Sequence, residues 1–114
     1  MTDTFKIALA QLNPTVGDIA GNVALLRGAR AEAAAGGADL VVTSELVACG
    51  YPPEDLVIRP IVQEMIEREI TALAAETADG GPAMLVGTPW VQDGKLYNAA
   101  LLLDGGEIAA TRFK

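Results

Sequence analysis

The stretch Asp39-Leu40-Val41-Val42-Thr43-Ser44-Glu45-Leu46 decides how this chain reads. Leu40-Val41-Val42 is a short apolar, β-branched run with glycines before it and polar residues after, the pattern of a buried parallel strand. Immediately upstream, Ile19 to Ala35 places Ile19, Val23, Leu26 and Arg30 on successive turns with Leu25 beside them, which predicts an amphipathic helix. Asp18 stands at its N-cap and Gly36-Gly37 stops it. Further out, Phe5 to Leu12 alternates only loosely, with Ala8 and Ala10 on its second face, as expected of an interior strand covered on both sides. Asn13-Pro14 ends it.

Downstream, Ser44 to Pro60 carries Gly50, Pro52, Pro53 and Pro60, so it reads as a long structured loop with room for one helical turn at Glu54 to Ile58. Ile61 to Ala78 returns to helical spacing, with Met65, Ile66, Ile70, Leu73 and Ala74 on one face. Three strands close the chain: Ala83 to Thr88, Lys95 to Leu103 and Glu107 to Phe113. Asp93-Gly94 and Asp104-Gly105-Gly106 are the hairpin turns between the last three. The order βαβαβββ predicts an α/β fold, a mixed sheet with helices over one face. Two helices leave the other face bare, so another chain or an absent remainder is expected to bury it.

The 114 residues are room for one domain, and 51% hydrophobic residues give it a core to bury. A formal charge of -7 disfavours nucleic acid and anionic lipid as partners. No apolar run approaches the roughly 20 residues of a bilayer span. No secretory pattern precedes Phe5, and one cysteine cannot form an internal disulfide, so the expected location is cytoplasmic. The chain has no histidine, which excludes Ser-His-Asp and Cys-His couples and starves a zinc site. Neither GxxxxGK nor GxGxxG occurs; Gly87 to Lys95 has the wrong spacing for a phosphate loop and reads as a hairpin.

Acid-base chemistry therefore falls to carboxylates, amines, phenols or the lone thiol. Glu45 lies where the buried strand empties into a loop, the usual place for sites in α/β folds. With Leu46-Val47 beside it, partial desolvation would raise its pKa toward the range of a general base; equally, it could point to solvent or cap the turn. Cys49 reads as a packed small hydrophobe or as a thiol nucleophile four residues from that carboxylate. Lys114 reads as the solvated end of a strand unless a partner meets it.

Thr43-Ser44-Glu45-Leu46 followed by Gly50-Tyr51-Pro52-Pro53-Glu54-Asp55-Leu56 resembles the glutaminase domain of the glutamine-dependent NAD+ synthetases, in the nitrilase (carbon-nitrogen hydrolase) superfamily. Ile7 to Pro14, Val16-Gly17-Asp18 with Asn22, Gly87-Thr88-Pro89 and Tyr97-Asn98-Ala99-Ala100 are similar to other segments of that domain, in the same order. The resemblance implies an αββα sandwich, of which residues 1–114 would be the N-terminal half. It implies a Glu-Lys-Cys triad that hydrolyses glutamine to glutamate and ammonia. Glu45 matches the general base and Lys114 the oxyanion-stabilising lysine. The nucleophile would lie beyond Lys114, which leaves Cys49 structural, and Tyr51 would line the glutamine pocket or pack beneath its own loop. No cofactor is implied for this segment; ATP and Mg2+ would serve an absent synthetase domain that amidates nicotinic acid adenine dinucleotide. The implied partners are glutamine, the C-terminal remainder and further copies in a homo-oligomer, and the 114 residues alone would be inactive. Two alternatives stay open: an amidohydrolase of the same superfamily acting alone, and a non-enzymatic module that binds through its bare sheet face.

Overall fold

The computed structural model describes residues 3–114. Its elements run β1 (Ile7–Leu9), α1 (Ile19–Ala35), β2 (Leu40–Val42), α2 (Pro60–Glu76), β3 (Ala83–Gln92), β4 (Lys95–Asp104) and β5 (Glu107–Phe113), with a 3₁₀ turn at Glu54–Ile58 and another at Thr77–Asp79. The strands form one sheet in the order β1-β2-β3-β4-β5. β1, β2 and β3 are parallel, and β3, β4 and β5 antiparallel. This is the α/β arrangement expected, and both helices pack on one face.

The register sorts the side chains by face. Val41 lies opposite Met84, Met84 opposite Leu103 and Val86 opposite Leu101, and all five are buried. Ile19, Val23 and Leu26 of α1 and Ile66, Ile70 and Leu73 of α2 close over them. Each such side chain contributes about 1.5–3 kcal/mol on leaving water. Arg30 shares the buried face of α1 because its charge is met there: Nη1 and Nη2 bind the two oxygens of Asp79 at 3.0 and 2.7 Å, and Nε donates to the Pro82 carbonyl at 2.9 Å. That clamp ties α1 to the end of α2 and the start of β3.

The helix ends follow local chemistry. Asp18 accepts the Gly21 N–H at 3.0 Å. Gly37, at φ 77°, lets Ala38 N–H bond back to the Ala33 carbonyl and Gly37 N–H to Ala34, both at 3.0 Å. Pro60 occupies the first turn of α2, where its missing N–H costs nothing.

Three expectations need correction. The first strand is three residues long and lies at the sheet edge, not inside it. Phe5, Ile7 and Leu9 are 68%, 51% and 75% exposed, so its outer face is open rather than covered. The second helix ends at Glu76 and tightens into the Thr77–Asp79 turn, where Thr77 Oγ1 donates to the Ala74 carbonyl and accepts from Gly106 N–H. The third strand runs on through Pro89 to Gln92, paired with β4 throughout. β2 stops pairing with β3 at Leu85, so Pro89 faces a free edge and removes no ladder bond there.

Candidate active site

The chain leaves β2 through a turn that is pressed against β3. Thr43 N–H and its hydroxyl both donate to the Leu85 carbonyl, at 3.1 and 2.9 Å. Leu46 takes a left-handed conformation, φ 54°, and Leu46 to Cys49 are buried, so the turn is anchored by apolar packing directly after Glu45. Ala48 N–H then bonds the Gly87 carbonyl at 3.2 Å. Gly87 is what permits this approach: a Cβ there would lie 2.3 Å from Ser44 O, 2.7 Å from Leu46 N and 3.0 Å from Glu45 Cα. On the other side, buried Asn22 donates from Nδ2 to the Thr15 and Ala48 carbonyls at 2.8 and 3.2 Å and accepts Thr15 N–H at 2.8 Å. One side chain on α1 thus fixes the loop after β1 to the turn after β2.

Glu45 emerges from this frame onto the open side of the sheet. Its Oε1 accepts Lys114 Nζ at 3.1 Å and Asn98 Nδ2 at 2.8 Å. The two ionic side chains are 42% and 77% exposed. The backbone closes the same triangle, because Lys114 N–H donates to the Asn98 carbonyl at 2.9 Å. An open hollow of about 310 Å³ lies against Glu45, Gly87, Asn98, Arg112 and Lys114.

The electrostatics reverse one expectation. The Glu45 carboxyl is held below its ordinary value, not raised, because hydrogen bonds from Lys114 and then Asn98, with the Lys114 charge, outweigh desolvation on this open face. The Lys114 ammonium is correspondingly held above its ordinary value by the Glu45 hydrogen bond and charge, with Tyr51 a smaller contributor. Glu45 therefore stays an ionised acceptor and Lys114 a cation. Cys49 is fully buried and its thiol is pushed up to about 11 by desolvation. Its one S–H has the Leu46 and Gly50 carbonyls as acceptors, with Sγ 3.5 and 3.3 Å from them. That is the setting of a packing group, not a nucleophile.

Glu45 and Lys114, 69 positions apart, are thus brought together, whereas Tyr51 lies on the next loop, 64% exposed, outside the lining of the hollow. Two residues had not been singled out for the site. Asn98 had a signal of sorts, an amide breaking an apolar strand; Gly87 had none, since its role is a contact with a distant turn. Among the described residues no three His, Cys, Asp or Glu side chains gather as metal ligands.

The chain, a mixed sheet with both helices on one face and a carboxylate-ammonium pair past its second strand, belongs to the carbon-nitrogen hydrolase family, whose model matches residues 6–114. Within that family it is similar to the glutamine-dependent NAD(+) synthetase of Rhodobacter capsulatus, 42% identical over 114 residues, covering 100% of this chain and 20% of the relative. The enzyme of the same name from Synechocystis sp. is 47% identical over 111 residues, 91% of this chain and 20% of the relative. The solved structure of glutamine-dependent NAD+ synthetase from Acinetobacter baumannii in complex with ADP superposes with a TM-score of 0.88 at 31% identity, over 96% of this chain and 20% of that one. The chain spans about a fifth of the length of these relatives, 20% in each case.

Proposed function

We propose that residues 1–114 are the N-terminal portion of a nitrilase-type glutaminase domain in a glutamine-dependent NAD+ synthetase, with Glu45 as general base and Lys114 as the oxyanion-stabilising cation. The observation that carries this reading is the 3.1 Å contact between Lys114 Nζ and Glu45 Oε1 at the end of a parallel strand. A base and a fixed positive charge are the two groups that amide hydrolysis requires besides a nucleophile.

In this mechanism a cysteine thiol outside the segment loses its proton to Glu45 and attacks the side-chain amide carbon of glutamine. Lys114 stabilises the resulting oxyanion, and the proton returns from Glu45 to the departing nitrogen as ammonia leaves. Water, deprotonated by Glu45, then attacks the thioester; glutamate is released and the thiol recovers its proton. Tyr51, exposed on the loop that follows Glu45 and outside the lining of the hollow, borders the outer end of the glutamine path. ATP and Mg2+ belong to the remainder of the longer chain, which uses the ammonia to amidate nicotinic acid adenine dinucleotide. The enzyme works in the cytoplasm as a homo-oligomer, and the 114 residues alone are inactive for want of the nucleophile. No helix among the described residues is long and apolar enough to cross a membrane.

The test is substrate supply. The complete protein should make NAD+ from nicotinic acid adenine dinucleotide and ATP with either glutamine or ammonium as nitrogen donor. Hydrolysis of simple amides, with neither glutamine turnover nor NAD+ formation, would replace this reading with that of an amidohydrolase acting alone.

A further inference from the structure

Asn98 interrupts the otherwise apolar centre of β4, between Tyr97 and Ala99-Ala100-Leu101-Leu102-Leu103. It is engaged twice: its Nδ2 donates to Glu45 Oε1 at 2.8 Å, and its backbone carbonyl accepts Lys114 N–H at 2.9 Å. A carboxylate only accepts, so the amide must turn its NH2 toward Glu45. Lys114 Nζ reaches the same oxygen at 3.1 Å, and Oε2 has no hydrogen-bond partner among the described residues. The lysine sits on a flexible four-carbon stem and its side chain is 77% exposed, so alone it is a poor anchor. The asparagine, short and rooted in the strand that pairs with both β3 and β5, is a rigid one.

We propose that Asn98 is the positioning residue of the Glu45 base: it pins Oε1, leaves Oε2 as the oxygen that takes and returns the proton, and through its backbone sets where Lys114 stands relative to that carboxylate. The terminal torsion of a glutamate is broad and roughly two-fold, so an unpinned carboxylate would offer either oxygen in many orientations. Two donors on one oxygen stop that exchange. Asn98 also helps keep the carboxylate ionised, second to Lys114. The charged and titratable groups around Glu45 are Arg112 in β5 and Lys114 just past its end, with Tyr51 on the loop that follows Glu45. This inference rests on the proposed glutaminase reading for its catalytic consequence, but not for its effect on Glu45 itself.

The experiment is Asn98→Leu, which keeps the size and removes the donor, made in the complete protein. With glutamine, kcat should fall about ten- to a hundredfold, as for a misplaced catalytic group, with KM unchanged, and the acid limb of the kcat profile should move to higher pH. Asn98→Asp, which sets a like charge beside Glu45, should move that limb further in the same direction and serves if the leucine variant fails to fold. A fall in kcat equal at every pH, an unchanged kcat, or a change confined to KM would overturn the proposal. If the complete protein turns over no glutamine, the functional reading fails, and Asn98 is judged by the carboxyl ¹³C titration of Glu45. An upward move of that titration in the variants supports the positioning role, and an unmoved one refutes it.

Discussion

Gly87→Ala separates a site built by close backbone approach from one assembled by side chains alone. The added Cβ would meet Ser44 O at 2.3 Å and Leu46 N at 2.7 Å, both backbone atoms that no rotamer change can move. Ordinary contact is about 3.5 Å or more, so the turn must retreat by roughly 1 Å. Overpacking of this kind costs about 1–3 kcal/mol. The retreat carries Glu45 with it and weakens its bonds to Asn98 and Lys114, and a 1 Å misplacement of a catalytic group costs about 10²-fold in rate. Gly28 on α1 is the internal control: nothing lies within 4 Å of a Cβ built there. Gly28→Ala should therefore stabilise by about 0.5–1 kcal/mol through helix propensity. Urea titrations give both stabilities, and steady-state glutamine hydrolysis by the complete protein gives the rate. Wild-type stability and turnover in Gly87→Ala would refute the reasoning, because the turn would then have room that the geometry denies it.

Three further outcomes follow from the same structure. Cys49 should react with a thiol-specific chromogenic reagent only after denaturation, and Cys49→Ala should cost about 1–2 kcal/mol while glutamine-dependent activity persists; rapid native labelling coupled to inactivation would contradict this. Asp79, its carboxyl depressed from 3.8 to about 2 by Arg30 and then by Gly81 N–H, contributes stability that is present above pH 4 and lost as pH falls toward 2. Asp79→Asn should lower the urea midpoint at pH 7 and flatten its decline between pH 4 and 2; an unchanged acid decline would assign that lability elsewhere. The isolated 114 residues, with Ile7 and Leu9 bare on the open sheet face, should associate and bind a hydrophobic dye, whereas a dye-silent, monodisperse monomer would show that this face is content in water.

Much of the fold was legible because its signals are local. Asp93 and Gly94 both take positive φ, 53° and 76°, as the tight hairpin they announce requires. Asp18, Gly37 and the periodic Ile19, Val23 and Leu26 describe α1 without help from the rest of the chain. The apolar character of Phe5 to Leu12, in contrast, says nothing about whether its outer face is covered, and there the edge position of β1 escaped the reading. At the site, Glu45 stood out by its place at a strand end, but its pairing with Lys114 was legible only through resemblance to a family, since no periodicity joins positions 69 apart. The direction of the Glu45 shift depended on Lys114 and Asn98 arriving from another hairpin, so flanking residues suggested the wrong sign. Gly87 and Asn98 act through contacts with a segment some 40 to 50 positions away, and a lone glycine or amide in a strand carries no mark of that partner.

Glu45→Gln in the complete protein tests the central claim most directly, because it keeps the shape of the base and removes its ability to take a proton. NAD+ formation with ammonium should remain near wild type while formation with glutamine falls by about 10² or more. Equal rates with glutamine in variant and wild type would contradict the assignment of Glu45 as the base, and equal loss with both donors would show that the residue serves the fold rather than the glutaminase chemistry.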